Sequence, residues 1–396
     1  MNKKLRAIFF PFCLIMIFLS CLFFSEKMRR PDEDYKLRPF LESQTEFDIL
    51  FFGTSHVLTS IFPMRLWNDY GITSYNLSAH GCPIQLSYWI LRNTARIHKP
   101  KFAVLDVFAL AGCQLDMNQY HRAYDAIPMS ATKLESFIDI FGAKDFLKGF
   151  SFSMNHNFWD KSSYGTLYET TAEMGAEPIY LIRFNHSFGT ISREFPGHDT
   201  AEIIYVQKFI DFCMKNNIIP ILTFIPFDVG QDSLKPWAEY LFGKARKMGV
   251  PCLEIEKSGI VDFEIDMADA DSHLNPNGGR KVTDYIGKFI AENYETTNHK
   301  VDENYSAWRD TYENYKNILR SRLKSQKDFK MVLLSFDKSL FSGKIKVKEG
   351  HNFSAAEKKF LDELKDSVSV DYVDEDIFSF EIFDKESHSL IKKFDF

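Results

Sequence analysis

Phe47-Asp48-Ile49-Leu50-Phe51-Phe52-Gly53-Thr54-Ser55-His56 is the stretch on which the fold turns. The apolar run through Phe52 is too short for a buried helix and rich in the residues that fill strands, so it reads as a strand covered on both faces. Gly53 ends it, and a helix is expected to follow. A serine in such a strand-to-helix turn sits exposed at the edge of a sheet. Its own N–H, near a helix N-terminus, can help to bind a developing oxyanion. Ser55 thus has the position of a nucleophile, although a serine there is also a common helix cap.

Toward the C-terminus the same rhythm repeats. Ser74–Leu77 reads as a second strand, and Leu86, Trp89, Ile90 and Ile97 recur at helical spacing before a third strand, Phe102–Phe108. Ile203, Val206, Ile210 and Cys213 mark another helix face. Ile218–Phe227 and Val250–Ile255 read as strands, and Val282, Tyr285, Ile286, Phe289 and Ile290 as the stripe of a closing helix. Strand-helix alternation of this kind predicts an α/β domain over residues 46–295, with a parallel sheet covered by helices on both faces. Between about 112 and 197 the rhythm gives way to a polar and aromatic insertion, and such insertions usually shape the ligand cleft.

From 296 to 396 the composition shifts to Lys, Glu, Asp and Ser. Trp308–Lys324 and Ser354–Leu364 read as helices and Phe329–Phe336 as a strand, giving a small α/β appendage of unknown role. No chemistry is visible in it, so truncation near residue 298 is expected to leave a cooperative fold. A chain of 396 residues is consistent with one large domain and a smaller one.

Toward the N-terminus, Lys3, Lys4 and Arg6 precede an apolar run from Ala7 to Phe24, which Glu26, Lys27, Arg29 and Arg30 stop. Residues 1–30 therefore read as a single-pass membrane anchor, near the lower length limit for a bilayer core of roughly 30 Å. A short charged N-terminal tail normally stays in the cytoplasm, which places the rest of the chain outside. A cleaved signal or a lipidated Cys21 is the rival reading. Residues 31–45, charged and containing Pro31 and Pro39, read as a linker.

A net charge of −6 with scattered basic residues gives no footprint for a phosphate backbone, so nucleic acid is not an expected partner. Of six cysteines, only Cys82 and Cys113 fall in predicted loops, where they could form one disulfide. No Cys-x-x-Cys or His-rich spacing suggests a metal, and no cofactor is expected.

Two further segments join Ser55. Asp269-Ala270-Asp271-Ser272-His273-Leu274-Asn275-Pro276-Asn277-Gly278 offers a base and carboxylates in one loop before the closing helix. A serine hydroxyl needs a base, and the base needs a carboxylate on its other nitrogen. Tyr75-Asn76-Leu77-Ser78-Ala79-His80-Gly81-Cys82 follows the second strand, where Gly81 can present an open N–H to the same oxyanion and Asn76 can position that turn. His56 and His80 stand beside the site, and Arg122 and its neighbours His121, Tyr124 and Asp125 offer groups for an anionic or sugar-bearing polymer.

Ser55, Gly81 and the Asp271-Ser272-His273 loop together resemble the SGNH-hydrolase superfamily over about residues 46–295. The resemblance implies a three-layer α/β/α domain like flavodoxin, with Ser55 as nucleophile, His273 as base and acid, Asp271 orienting it, and an oxyanion or substrate-binding side formed around Ser55, Gly81 and Asn76. Two departures stand out. The usual oxyanion Asn after the third strand is replaced by Phe108-Ala109-Leu110-Ala111, and Ala270 occupies the place three residues before His273. The Asp-x-His spacing is similar to the alginate acetyltransferase branch, which favours Asp271 over Asp269. In plan the chain also resembles proteins related to the D-alanyl transfer protein of teichoic acid synthesis. That implies an extracytoplasmic serine esterase or O-acyltransferase acting on a cell-surface polymer beside a membrane-bound acyltransferase. The alternative is a catalytically weak scaffold or glycan-binding subunit.

Overall fold

The structure is a computed structural model that describes residues 3–28, 31–153, 172–183, 193–228, 231–270 and 272–396. Five strands, β1 (Ile49–Phe52), β2 (Ser74–Asn76), β3 (Phe102–Asp106), β4 (Ile219–Phe224) and β5 (Cys252–Glu254), form a parallel sheet in the order β2-β1-β3-β4-β5. Successive side chains of a strand point to opposite faces, and both faces are buried here. Leu50, Phe52, Ala103 and Leu105 enter one core, while Ile49, Phe51, Phe102 and Val104 enter another. The unbroken apolar run in β1 follows directly from this double burial.

Helices supply the two covers. An apolar N-terminal helix α1 (Lys3–Met28) and a short α2 (Pro31–Leu41) precede β1, and α3 (Ser55–Ser60) and α4 (Pro63–Tyr70) follow it. Next come α5 (Ile84–Thr94), α6 (Met117–Tyr124), α7 (Ala131–Phe141), α8 (Ala201–Lys215), α9 (Gln231–Lys247) and α10 (Pro276–Asn293). Apolar residues of α5, α8 and α9 pack on one face, and Val57 of α3 with Val282, Ile286 and Ile290 of α10 pack on the other. The three-layer α/β/α arrangement expected from the sequence is present. In a sheet of this order the chain reverses direction between β1 and β3, and ligands bind beyond the strand C-termini at that switch point. Ser55 lies one turn past the end of β1.

The N-terminal helix contains a 20-residue window, Arg6–Ser25, of mean hydropathy 2.7 with none of it buried. It is long and apolar enough to cross a membrane. The segment expected as a linker is mostly helical and docked: Leu37 and Phe40 of α2 are buried, and the Phe40 ring stacks on Phe47 at 5.2 Å. Pro31 occupies the first position of α2, where a missing N–H costs nothing. Cys82 and Cys113, the pair that could have formed a disulfide, are both free thiols, and Cys82 Sγ lies 3.4 Å from Ser87 Oγ.

After residue 296 come α11 (Ser306–Ser325), α12 (Phe329–Ser335) and α13 (Ala355–Leu364). With them is a second, mixed sheet ordered β7-β6-β8-β9, built from β6 (Phe341–Lys348), β7 (Val368–Val373), β8 (Phe378–Asp384) and β9 (Leu390–Asp395). The stretch expected as a strand is α12. Asp328 caps it by accepting the Met331 N–H at 3.1 Å, and Phe329, Val332 and Leu333 bury one helical face.

This region is seamed to the α/β domain by buried groups. The Trp308 ring lies 5.4 Å from Trp67 and 5.7 Å from Phe47, and its Nε1 donates to Thr45 Oγ1 at 3.0 Å. Asp337 faces Arg65 at 3.3 Å and Arg280 at 3.4 Å. Burial opposes its ionisation, but the two guanidinium groups and Ser339 outweigh that and hold Asp337 at about 2. Removing residues 299–396 would leave Arg65 and Arg280 without this carboxylate and expose the Trp67 side of the core. The region after residue 296 thus shares buried contacts with the α/β domain.

Candidate active site

Gly53 sets the turn that presents the serine. It holds φ +149°, and a Cβ there would meet Val57 Cγ2 at 2.6 Å, so the chain can leave β1 and enter α3 this tightly only at glycine. Thr54, not Ser55, caps α3, accepting the His56 N–H at 3.3 Å. Ser55 occupies the first helical position, and its hydroxyl is left for another partner.

That partner is His273, whose Nε2 lies 2.7 Å from Ser55 Oγ. The imidazole reaches it from a tight turn between an isolated bridge, Met267 with Leu274, and the start of α10. Ala268 N–H donates to His273 O at 2.8 Å, and Asn275 N–H to Asp266 O at 2.8 Å. Asn275 then caps α10 through its side chain, so the histidine is fixed between a turn and a helix start.

The carboxylate at the far side of the imidazole is that of Asp269. Its Oδ2 lies 2.5 Å from His273 Nδ1, and its Oδ1 accepts the N–H groups of Ser272 at 2.8 Å and His273 at 3.0 Å. The turn closes on its own first residue, which is why a carboxylate four positions before the histidine reaches Nδ1. Asp271, expected in this place, lies outside the described residues. Burial opposes ionisation of Asp269, yet the bonds from the imidazole and the two backbone N–H groups hold it at about 2.

Gly81 lies in the turn after β2 at φ +56°, with Cys82 N–H donating to Ala79 O at 3.3 Å and Ala79 N–H to Gly53 O at 3.2 Å. The turn is thus pinned to the residue two before Ser55. Among the described residues no hydrogen bond engages the N–H of Ser55 or of Gly81. Asn76 stands differently from its expected place beside the oxyanion. It is fully buried, and its amide donates to Val57 O at 2.9 Å and Ile61 O at 3.1 Å, while its Oδ1 accepts the Ser78 N–H at 3.2 Å. Both amide hydrogens are spent on α3 and the residue after it, so Asn76 braces the serine's helix and the turn leading to Gly81.

His56 is buried against Phe108, with ring centroids 3.4 Å apart, and its ring lies 5.7 Å from that of His273. Burial, and then the neighbouring His273, push its pKa well below the usual value, so it stands as a neutral wall. Phe108 lies in the segment just after β3, and that side of the site is lined by a ring. His121 pairs in the interior with Asp125 at 2.9 Å, and Arg122 reaches Glu177 at 3.5 Å. Glu177 was not singled out from the sequence: it lies in the insertion and meets Lys36 across 141 positions.

No protein-family model and no curated protein matches the chain. Among solved structures it is similar to a GDSL-like lipase from Bacteroides thetaiotaomicron, with a TM-score of 0.35 and 10% identity over 66% of this chain and 98% of that one.

Proposed function

We propose that this chain is a serine esterase or O-acyltransferase of the SGNH type, and the observation that carries the reading is the continuous line Ser55 Oγ, His273 Nε2, His273 Nδ1, Asp269 Oδ2 at 2.7 and 2.5 Å. Ser55 Oγ attacks the carbonyl carbon of an acyl ester while its proton passes to His273 Nε2. Asp269 holds the Nδ1–H tautomer and stabilises the imidazolium. The N–H groups of Ser55 and Gly81 receive the oxyanion. On collapse, the alcohol leaves with the proton from Nε2, and the acyl group remains on Ser55. A water or a hydroxyl of a second substrate then delivers its proton to Nε2 and takes the acyl group.

In this reading the protein is held to a membrane by α1, with Ser55 on the extracytoplasmic side. The acyl ester or acceptor belongs to a cell-surface polymer supplied beside a membrane-bound acyltransferase. The basic flanks of α1 and its unburied apolar length support the anchoring.

A fluorophosphonate probe tests the chemistry, because only an activated serine reacts. Labelling of wild type at the peptide containing Ser55, absent in Ser55→Ala, is expected. A folded wild-type protein that does not label would favour the scaffold or glycan-binding reading.

A further inference from the structure

A cleft of about 470 Å³ opens at the seam between the α/β domain and the C-terminal region. Trp67 and Asn68 of α4 line it from one side and Arg309, Tyr312 and Lys316 of α11 from another, while Leu340 before β6 and Lys385 after β8 complete it. Its volume is that of a site for a small organic ligand, roughly 300–1,000 Å³. Ser55, His273 and Asp269 are not among its lining residues.

The cations of the cleft are of three kinds. Arg320 donates to Asp384 Oδ2 at 2.9 and 2.6 Å. Asp384 is 5% exposed and also accepts the N–H groups of Glu386 at 3.1 Å and Ser387 at 3.0 Å, so that pair is fixed. The Lys316 side chain is only 7% exposed, yet the carboxylates it meets, Glu313 at 2.8 Å and Glu386 at 3.0 Å, are 60% and 78% exposed. Carboxylates so exposed keep most of their hydration and contribute little to a pair. Another anion can therefore take their place on Lys316 at small cost.

Lys300, Arg309 and Lys385 meet carbonyl and hydroxyl oxygens instead. Lys300 donates to Asn68 O, and Arg309 Nη1 to the carbonyls of Lys300 and Asp302 at 3.0 and 2.8 Å. Lys385 donates to Lys338 O at 2.6 Å and Ser367 Oγ at 3.0 Å. Among the described residues no carboxylate forms an ion pair with any of these three, and no hydrogen bond engages Arg309 Nε or Nη2. Several cations around one cavity suit a phosphate monoester, which carries about −1.5 to −2 charges near pH 7 and three acceptor oxygens. The cavity is larger than one phosphate. Tyr312, held by its hydroxyl on Asn68 Oδ1 at 2.6 Å, and Leu340 give it an apolar side for a sugar-sized group.

We propose that this cleft binds a small organic phosphate of the sugar-phosphate type, with Lys316, Arg309, Lys300 and Lys385 taking the phosphate and Tyr312 the ring. Glu313 and Glu386 give up Lys316 when it binds. The ligand touches groups on both sides of the seam and so ties them together. The site does not depend on the esterase reading.

Calorimetric titration of the full chain with glucose 1-phosphate, glucose and inorganic phosphate, at one ionic strength, tests this. Glucose 1-phosphate should bind roughly tenfold more tightly than either of the others, and its addition should raise the thermal transition of wild type. Lys316→Met and Lys385→Ala should each weaken its binding about tenfold, the scale of one charge-assisted contact, and Glu386→Gln should tighten it. Lys385 is exposed, so Lys385→Ala keeps the test open if Lys316→Met does not fold. No binding of glucose 1-phosphate at millimolar concentration, or binding unchanged in the folded variants, would overturn the site. Inorganic phosphate binding as tightly would overturn the sugar-sized ligand, and glucose binding as tightly would overturn the phosphate. Ser55→Ala should bind glucose 1-phosphate as wild type does, whatever becomes of labelling at Ser55, so the two claims fail separately.

Discussion

Asp269 at the active site and Asp337 at the C-terminal seam are both nearly sealed from water, 5% and 4% exposed, and both are held at about 2, yet their partners differ in kind. Asp337 lies between two guanidinium groups that never lose their charge, so its ion pairs are fixed. Asp269 faces an imidazole, a group able to carry a proton on either nitrogen, and its other oxygen is tied to the backbone. A buried carboxylate with permanent cations joins two parts of a molecule, whereas one with a titratable partner and a neighbouring hydroxyl can serve proton transfer. The depressed acid is common to both, so the chemistry is read from what the carboxylate holds.

If that contrast is right, disrupting the active-site line should remove activity without unfolding the protein, and disrupting the seam should do the opposite. The largest expected effect is His273→Ala, which should lower ester turnover by about 10⁴–10⁶-fold, by analogy with serine hydrolases whose base is removed. Its thermal transition should stay near that of wild type, as differential scanning would show. Asp337→Ala comes next. Deleting one partner of a buried ion pair leaves uncompensated charge and costs about 3–5 kcal/mol, so urea unfolding should show a lower midpoint. Esterase activity measured below that midpoint should be retained.

A pH series sharpens the comparison. The carboxyl of Asp337 titrates at about 2 when folded and near 3.9 when unfolded. Between these values the unfolded state binds more protons, so stability is full above about pH 4 and falls as pH drops toward about 2. Asp337→Asn should flatten this acid limb by about 2–3 kcal/mol, read from denaturant midpoints at each pH. An acid limb unchanged in the variant would detach Asp337 from the seam. The smallest expected effect is that of Asn76→Ala. It leaves the Ile61 carbonyl without its amide donor, while Val57 O keeps the Ile61 N–H, at a cost of about 1–3 kcal/mol, with a loss of labelling rate at Ser55 that tracks the displaced turn.

Much of this plan was readable from the chain. The runs beginning at Ile49 and Phe102 are strands because both faces of the sheet are buried, and Gly53 marked the turn that presents Ser55. The meeting of His273 with Ser55 was readable from a serine after the first strand and a histidine before the closing helix, taken together. Which carboxylate meets His273 Nδ1 was not, because Asp269 is aimed there by the backbone bonds that close its turn, and spacing does not encode them. Phe329–Phe336 is an apolar run short enough to fit either a strand or a helix, and the cap from Asp328 decides it. Pro31 and Pro39 suggested a linker, but a helix tolerates proline at its first position and is held here by Leu37 and Phe40 in the core. Glu177 was out of reach because its partners Lys36 and His80 lie far away in sequence.

The measurement that bears most directly on the central claim is the rate of fluorophosphonate reaction at Ser55 in wild type, Asp269→Asn and Asp271→Asn, followed by intact mass. A carboxylate on His273 Nδ1 sets the tautomer that activates the serine, so Asp269→Asn should slow labelling by about 10²–10⁴-fold, while Asp271→Asn stays close to wild type. Slow labelling in Asp271→Asn with wild-type labelling in Asp269→Asn would contradict the assignment of Asp269 as the residue that orients His273.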